Sequence, residues 1–358
     1  MVRLLSDAVA SVIVMRHCLR SCPDVAKGGA PGFDWLANYT SPSHPMQPFE
    51  VAEYQCLPNG IALVEGIGRQ LAGTVPGPVV VEADSAAQRD IDTAHALMRG
   101  MGLKEGDMIE NPCIFDPSAE GCGFCDEIDA VSQKAAVEER WNEFPMSEEV
   151  VDLIDEFQAR LGEGEAPAFG EITDNVDEGS GYYSGGTSIA SQIIEYLLME
   201  MGGNVTEWGW GEFSREDVYR FLEAHIYYRE VQDRALPLNV RSHSYMSSEI
   251  LSTLGGGAGG TRVLVGHDSE LDALASIFGL EWLTPPFPRN ATTPGSGIRF
   301  DLSSKGEVSV SLHYQAFDGT DDLLLADAAW TWSGGKDTVG IAELKEYVGG
   351  KLSDECMP

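Results

Sequence analysis

Ser11-Val12-Ile13-Val14-Met15-Arg16-His17-Cys18-Leu19-Arg20 is the stretch whose reading decides the fold. Ser11 to Met15 is a short β-branched run that stops at a polar cluster, so it reads as a buried strand delivering Arg16 and His17 to its carboxyl end. Open α/β sheets bind their ligands at that edge. Arg16 and Arg20 flank the His17 imidazole, an arrangement suited to a tetrahedral dianion, because guanidinium presents forked donors to such oxygens and keeps its charge without help.

Working outward, the same pattern recurs twice. Pro78 to Glu82 reads as a second strand with Arg89 beyond it, and Arg262 to Gly266 as a third that ends at His267-Asp268. Apolar spacing predicts helices over Gly60–Leu71, Ser85–Met98 and Glu270–Phe278. Were the three strands parallel neighbours, all these polar groups would meet at one edge. Each cluster alone also has an ordinary reading: an Arg-His pair in a solvated loop, or Asp268 as a helix N-cap. Ile298–Leu302 and Glu307–Tyr314 alternate as a hairpin at the sheet edge.

Residues 22–60 carry Pro31, Pro42, Pro45, Pro48 and Pro58, an irregular excursion of the kind that shapes a pocket. From about 105 to 180 the chain turns acidic and cysteine-bearing, with amphipathic stretches such as Glu148–Leu161, and longer helices are predicted over Ile189–Met201 and Asp217–Val231. The Gly255–Gly260 run precedes a strand rather than following one, so it reads as a linker and not a phosphate loop. The expected fold is α/β: a central, mostly parallel sheet flanked by helices (1–104 and 250–335), an inserted, mainly α-helical cap (105–249), and a C-terminal tail (336–358).

A formal charge of −34 over 358 residues argues against nucleic acid or an anionic membrane surface as partner, since both need clustered Lys and Arg. No apolar run approaches the length of a membrane span. Seven cysteines and the sequons at Asn38, Asn204 and Asn290 favour an exported protein, although no leader peptide is visible. Cys113, Cys122 and Cys125 cluster, and a bridge from Cys356 would pin the C-terminus. Cys122-Gly-Phe-Cys125 admits a zinc reading but lacks a second ligand pair. An odd count leaves at least one thiol unpaired.

Arg16-His17-Cys18-Leu19-Arg20 resembles the Arg-His-Gly-x-Arg signature of histidine acid phosphatases, and Gly266-His267-Asp268 resembles their second motif. The segment Asp84-Ser-Ala-Ala-Gln-Arg89 is similar to the family stretch whose arginine completes a phosphate clamp. Ser184 to Glu195, followed by Trp208-Gly-Trp-Gly, is similar to the bacterial phytase and glucose-1-phosphatase subgroup. The resemblance implies a phosphate-monoester hydrolase of that fold, acting on a small-molecule phosphate ester with no cofactor and no metal. His17 would be the nucleophile, Asp268 the proton donor, and Arg16, Arg20, Arg89 and His267 the phosphate ligands. Ser269, Ser191 and Glu195 would lie on the leaving-group side, although Glu195 fits a solvated helix face equally well.

Cys18 departs from the pattern, standing where the family has glycine, and Cys22-Pro23 stand where it has proline and a small polar residue. Cys18 has two readings, free or bridged to Cys22. Two other functions share these motifs. A phosphoglycerate-mutase-like transferase opens with the same Arg-His, but its second histidine is followed by glycine. A phosphate-binding protein impaired by Cys18 is the alternative from outside enzymes. The 23 basic residues against 57 acidic ones tilt the substrate from phytate toward a small or varied monoester, and leave the oligomeric state open.

Overall fold

The computed structural model describes residues 7–22, 34–46, 49–257, 259–320 and 322–358, with backbone only for Asp34 and Trp35. Pro23, Pro31, Pro48 and, in the glycine run, Ala258 lie outside the described residues.

The first half of the core is β1 (Ala8–Arg16), α1 (Pro58–Leu71), β2 (Val79–Ala83), α2 (Gln88–Met101) and β3 (Ile109–Glu110). A mainly helical stretch follows: α3 (Pro112–Phe115), α4 (Ala130–Glu143), α5 (Glu148–Leu161), β4 (Asn175–Val176), β5 (Tyr183–Ser184), α6 (Gly186–Gly202), α7 (Arg215–Gln232) and α8 (Leu236–Gly255). The chain returns to the sheet through β6 (Gly260–Gly266), α9 (Asp268–Phe278), β7 (Leu280–Trp282), β8 (Gly297–Ser303), β9 (Glu307–Tyr314) and β10 (Leu324–Trp330). It closes with β11 (Thr338–Gly340) and α10 (Ile341–Gly349).

The nine-stranded sheet runs β3-β2-β6-β1-β8-β9-β10-β7, with β11 also on β9. β1 pairs in parallel with β6, and β6 with β2, so the three strand ends read from the sequence do lie side by side. Alternation along β1 divides the core. Val12 and Val14 belong to one apolar cluster, while Ile13 and Met15 belong to another with Val81, Val263 and Val265. All four β1 residues are fully buried, each stabilising the fold by roughly 1.5–3 kcal/mol. Both faces of the strand are covered, as parallel sheets require.

The predicted hairpin forms as β8 and β9, but not at the sheet edge. β8 pairs antiparallel with β1 at the centre. Its alternation of Ile298, Phe300 and Leu302 with Arg299 and Asp301 mimics a half-solvated strand. Arg299 and Asp301 are nevertheless buried, because Arg299 Nε donates to Asp301 Oδ1 at 2.9 Å and its Nη2 to the Thr74 carbonyl at 2.7 Å.

The cysteines bind distant parts of the chain. Cys113 pairs with Cys122, and Cys125 with Cys356 across 231 residues, so the CxxC cysteines serve separate bridges rather than zinc. The C-terminal stretch is tied in by that bridge and by β11 pairing with β9. Cys22 is the free, buried thiol among the described residues. Of the sequon asparagines, Asn38 and Asn204 are exposed. Asn290 is buried and donates to Glu230, so it is not an acceptor for glycan.

Helices α1 and α2 cross in backbone contact at Gly100, where an added Cβ would meet the Glu65 carbonyl oxygen at 2.1 Å. Backbone cannot yield as a side-chain tip can. Gly100→Ala is therefore expected to cost about 1–3 kcal/mol of stability in urea unfolding, as overpacked sites do. An unchanged midpoint would disprove the close crossing.

Candidate active site

Arg16 ends β1, and backbone bonds on both sides fix the loop after it. His17 N–H donates to the Gly266 carbonyl at 2.8 Å, and Gly295 N–H to the His17 carbonyl at 2.9 Å. The loop then pairs with residues 55–57: Ser21 N–H reaches Gln55 O at 2.9 Å and Leu57 N–H reaches Leu19 O at 2.9 Å. Gly60 of α1 backs the same loop so closely that a Cβ would lie 2.4 Å from the Leu19 carbonyl. Cys18 bonds neither to Cys22 nor to nothing: its partner is Cys56. Its sulfur is thus fully buried, packed with Cys56 against Val64 and Ile67 of α1.

His17 Nδ1 lies 2.8 Å from the Cys18 carbonyl, which can only accept, so the proton sits on Nδ1 and the lone pair on Nε2. Burial and the charges of Arg16, Arg20 and Arg89 hold the imidazole well below its ordinary pKa. The side chain is therefore held toward its uncharged form, with the Nε2 lone pair available.

Arg89, at the start of α2, places Nη2 3.2 Å from His267 Nδ1. His267 Nε2 lies 3.5 Å from Asp84 and 3.4 Å from Asp90. Burial alone would lower its pKa, but Asp84, Glu270 and Asp90 outweigh that and raise it to about 9. Protonated His267 and Arg89 are then two donors facing each other, a contact that an anion between them relieves. His17, Asp90 and His267 also approach one another closely enough to ligate a cation. The surrounding guanidiniums of Arg16, Arg20 and Arg89 favour an anion instead.

Asp268 is the first residue of α9. The N-cap is His267, whose N–H donates to Glu270 Oε2 at 2.5 Å. Asp268 Oδ2 sits 3.0 Å from Arg16 Nη2 and 3.1 Å from Arg229 Nη1. Burial raises its pKa, but these two guanidiniums win and hold the carboxyl well below the usual range. Arg229, on α7, is secured in turn by Asp272 at 2.7 Å and Asp233 at 3.4 Å.

Glu195 of α6 joins the cluster rather than solvent. Its carboxylate lies 2.5 Å from Arg16 Nη2 and 3.6 Å from Arg20 Nη2, and despite burial Arg20 and Arg16 bring its pKa down to about 2. Ser191 is buried with Oγ 2.9 Å from His225 Nδ1, and both border the same cavity. Ser269 does not line that cavity, and its hydroxyl contacts Glu270 Oε1 at 3.5 Å. The residues missed in the sequence are Arg229, Cys56, Tyr54, His225 and the Thr292 carbonyl, which accepts from Arg16 Nη1 at 2.6 Å. Arg229 and His225 carried a signal, ionisable groups on the helix predicted over Asp217–Val231, and nothing there distinguished them from surface residues.

No protein-family model matches the chain, and no curated protein matches it. Solved structures do. The Hafnia alvei phytase in its apo form superposes with a TM-score of 0.81 at 16% identity, over 98% of each chain. The Citrobacter braakii phytase gives 0.79 at 18% identity, over 98% of this chain and 99% of that one. The Klebsiella sp. ASR1 phytase gives 0.79 at 16%, over 98% of each. The chain therefore has the α/β fold of these bacterial phytases over 98% of its length.

The Cys18–Cys56 bridge closes a separation of 38 residues and ties the His17 loop to the segment that opens α1. Replacing both cysteines by serine is expected to lower unfolding free energy by about 2–4 kcal/mol. Equal urea midpoints for the two proteins would show that the loop is held by its backbone bonds alone.

Proposed function

We propose that this chain is a phosphate-monoester hydrolase working through a phosphohistidine intermediate on His17. The observation that carries the reading is one constellation: an uncharged His17 Nε2 among Arg16, Arg20, Arg89 and a protonated His267, with the Asp268 carboxyl beside it. The fold shared with bacterial phytases supports it.

In the first step the Nε2 lone pair forms the N–P bond while the ester P–O bond breaks, and the leaving oxygen takes a proton from Asp268, whose protonated form the bound phosphate dianion beside it favours by like-charge repulsion. Water then forms a new O–P bond, the N–P bond breaks, and the water's proton passes to the Asp268 carboxylate. Arg16, Arg20, Arg89 and His267 hold the equatorial oxygens, where charge stabilisation contributes most in phosphoryl transfer. Ser191 and Glu195 border the leaving group in this reading, while Ser269 acts on Glu270 rather than on substrate. The impaired-binder alternative rested on Cys18 disturbing the loop, and a sulfur bonded to Cys56 removes that premise. His267 is followed by Asp268, which favours hydrolysis over mutase-type transfer. Three disulfides suit an oxidising, extracytoplasmic location, and no helix among the described residues is long and apolar enough to cross a membrane.

Phosphate release from p-nitrophenyl phosphate is expected for the natural protein, with kcat lower by at least about 10⁴-fold in His17→Ala, the scale of losing a covalent nucleophile. A folded wild-type protein that binds phosphate without turning over any monoester would overturn the proposal.

The pH profile follows from His267. Its pKa is raised, so the charge that grips phosphate is present at neutral pH and lost as pH rises through about 9. The alkaline fall in kcat/KM is expected near that value and is expected to vanish in His267→Asn. If the variant keeps the same limb, another group sets it.

A further inference from the structure

Next to the phosphate-binding groups is a cavity of about 320 Å³ whose walls include Leu36, Tyr54, Gln192, Tyr196, Tyr228 and Arg20. This is where the leaving group of a bound monoester would sit, so its chemistry selects the substrate. Among the described residues its cations are Arg20 and Arg229. Arg20 is paired with Glu195, and Arg229 already holds Asp268, Asp272 and Asp233 within 3.4 Å. Neither is free for a second phosphate. Glu195 itself borders the cavity as a carboxylate and repels further negative charge.

The rest of the wall is aromatic. Tyr54 adopts a left-handed backbone, φ +58°, a conformation that costs a non-glycine residue energy and recurs at ligand sites. Its ring lies 5.3 Å from the Arg20 guanidinium and 5.8 Å from that of Arg89, at the junction of clamp and cavity. Tyr228 and Tyr196 bound the space beyond it. The proton donor agrees with this lining. Asp268, faced by Arg16, Arg229, His17, His267 and Glu195, is held ionised and is a reluctant acid. A phenolic oxygen, with a pKa near ~10, departs with far less proton assistance than an alkoxide, whose nearest reference is water at ~15.7.

We infer that the site selects monoesters of uncharged aromatic alcohols, aryl phosphates, over inositol polyphosphates. This rests on the proposed phosphatase reading. The reaction is the two-step displacement above, with the proton transferred late: the P–O(aryl) bond breaks as N–P forms on His17, the aryl oxygen leaves with the electron pair, and it takes its proton from Asp268 or from water after the bond has broken.

The test compares kcat/KM for phenyl phosphate, 2-naphthyl phosphate, glycerol 2-phosphate and phytate with the full chain at fixed pH and salt. The aryl esters are expected to exceed phytate by about 100-fold, the scale of a like-charge contact in a partly buried site. Tyr228→Leu is expected to narrow the ratio of naphthyl to glycerol ester by about 5- to 10-fold through loss of ring contact. Phytate equal to or better than the aryl esters overturns the inference while leaving the phosphatase intact. A binding arm works without turnover. By calorimetry, 2-naphthyl sulfate is expected to bind more tightly than myo-inositol hexakissulfate, and the reverse order overturns the inference even if no ester is hydrolysed. Loss of all turnover with the expected binding order rejects the hydrolase and keeps the subsite.

Discussion

Arg16 is a full positive charge only 1% exposed to solvent, and much of the site is arranged around that fact. An unpaired buried charge costs several kcal/mol, so the guanidinium must find carboxylates or carbonyls. It finds Glu195 on one helix, Asp268 on another, and the Thr292 carbonyl in the segment before β8. Each partner comes from a different part of the chain. A single strand-end residue therefore fixes how α6, α9 and the approach to β8 meet the sheet.

The pairing propagates. Asp268 is shared with Arg229, Arg229 with Asp272, Asp272 with Arg234, Arg234 with Glu230, and Glu230 with Arg140 on α4. Alternating charges thus run from the site into the helical region. Buried ionic networks are often not strongly stabilising, since hydrophobic replacements often fold as well. Their effect here is positional: each charge has one place where it is neutralised. Removing a member would leave its neighbour buried and unpaired, which makes the network intolerant of piecemeal change.

Much of the sheet was legible because its strands are dictated by local pattern. β1, β2 and β6 are short β-branched runs stopped by polar residues, and the polar residues at their ends are those that converge. The charged network was not legible, for a local reason. Arg229 with Asp233, and Glu230 with Arg234, are four apart at the end of α7 (Asp233 is its C-cap and Arg234 lies just beyond), a spacing that also decorates solvated helix faces. Only the packing of α7 against α6 and the ion pairs of Arg229 and Arg234 to Asp272 of α9 turn that face inward. α8 escaped in a similar way: it buries Asn239, His243, Ser244 and Ser247, and only Met246, Ile250, Leu251 and Leu254 in its second half carry an apolar stripe. Cys18 posed the reverse problem. A cysteine in place of glycine signalled disturbance, whereas Cys56, brought near by the strand-like pairing of Arg20, gives the sulfur a partner outside the site.

Fold and substrate are set by different layers of this molecule. The superposition with bacterial phytases follows from the backbone and its apolar core, which tolerate extensive replacement when volume and pattern persist. In the proposed reading, what the site accepts would depend on the net charge of a few side chains beyond the arginines and His267. Here the acidic residues that stabilise Arg16 and Arg229 also neutralise the cations a polyanion would need. In the proposed reading, burial of one arginine would limit the ligand indirectly: satisfying its charge brings carboxylates to the pocket wall, and those carboxylates would set how much negative charge the pocket can still receive.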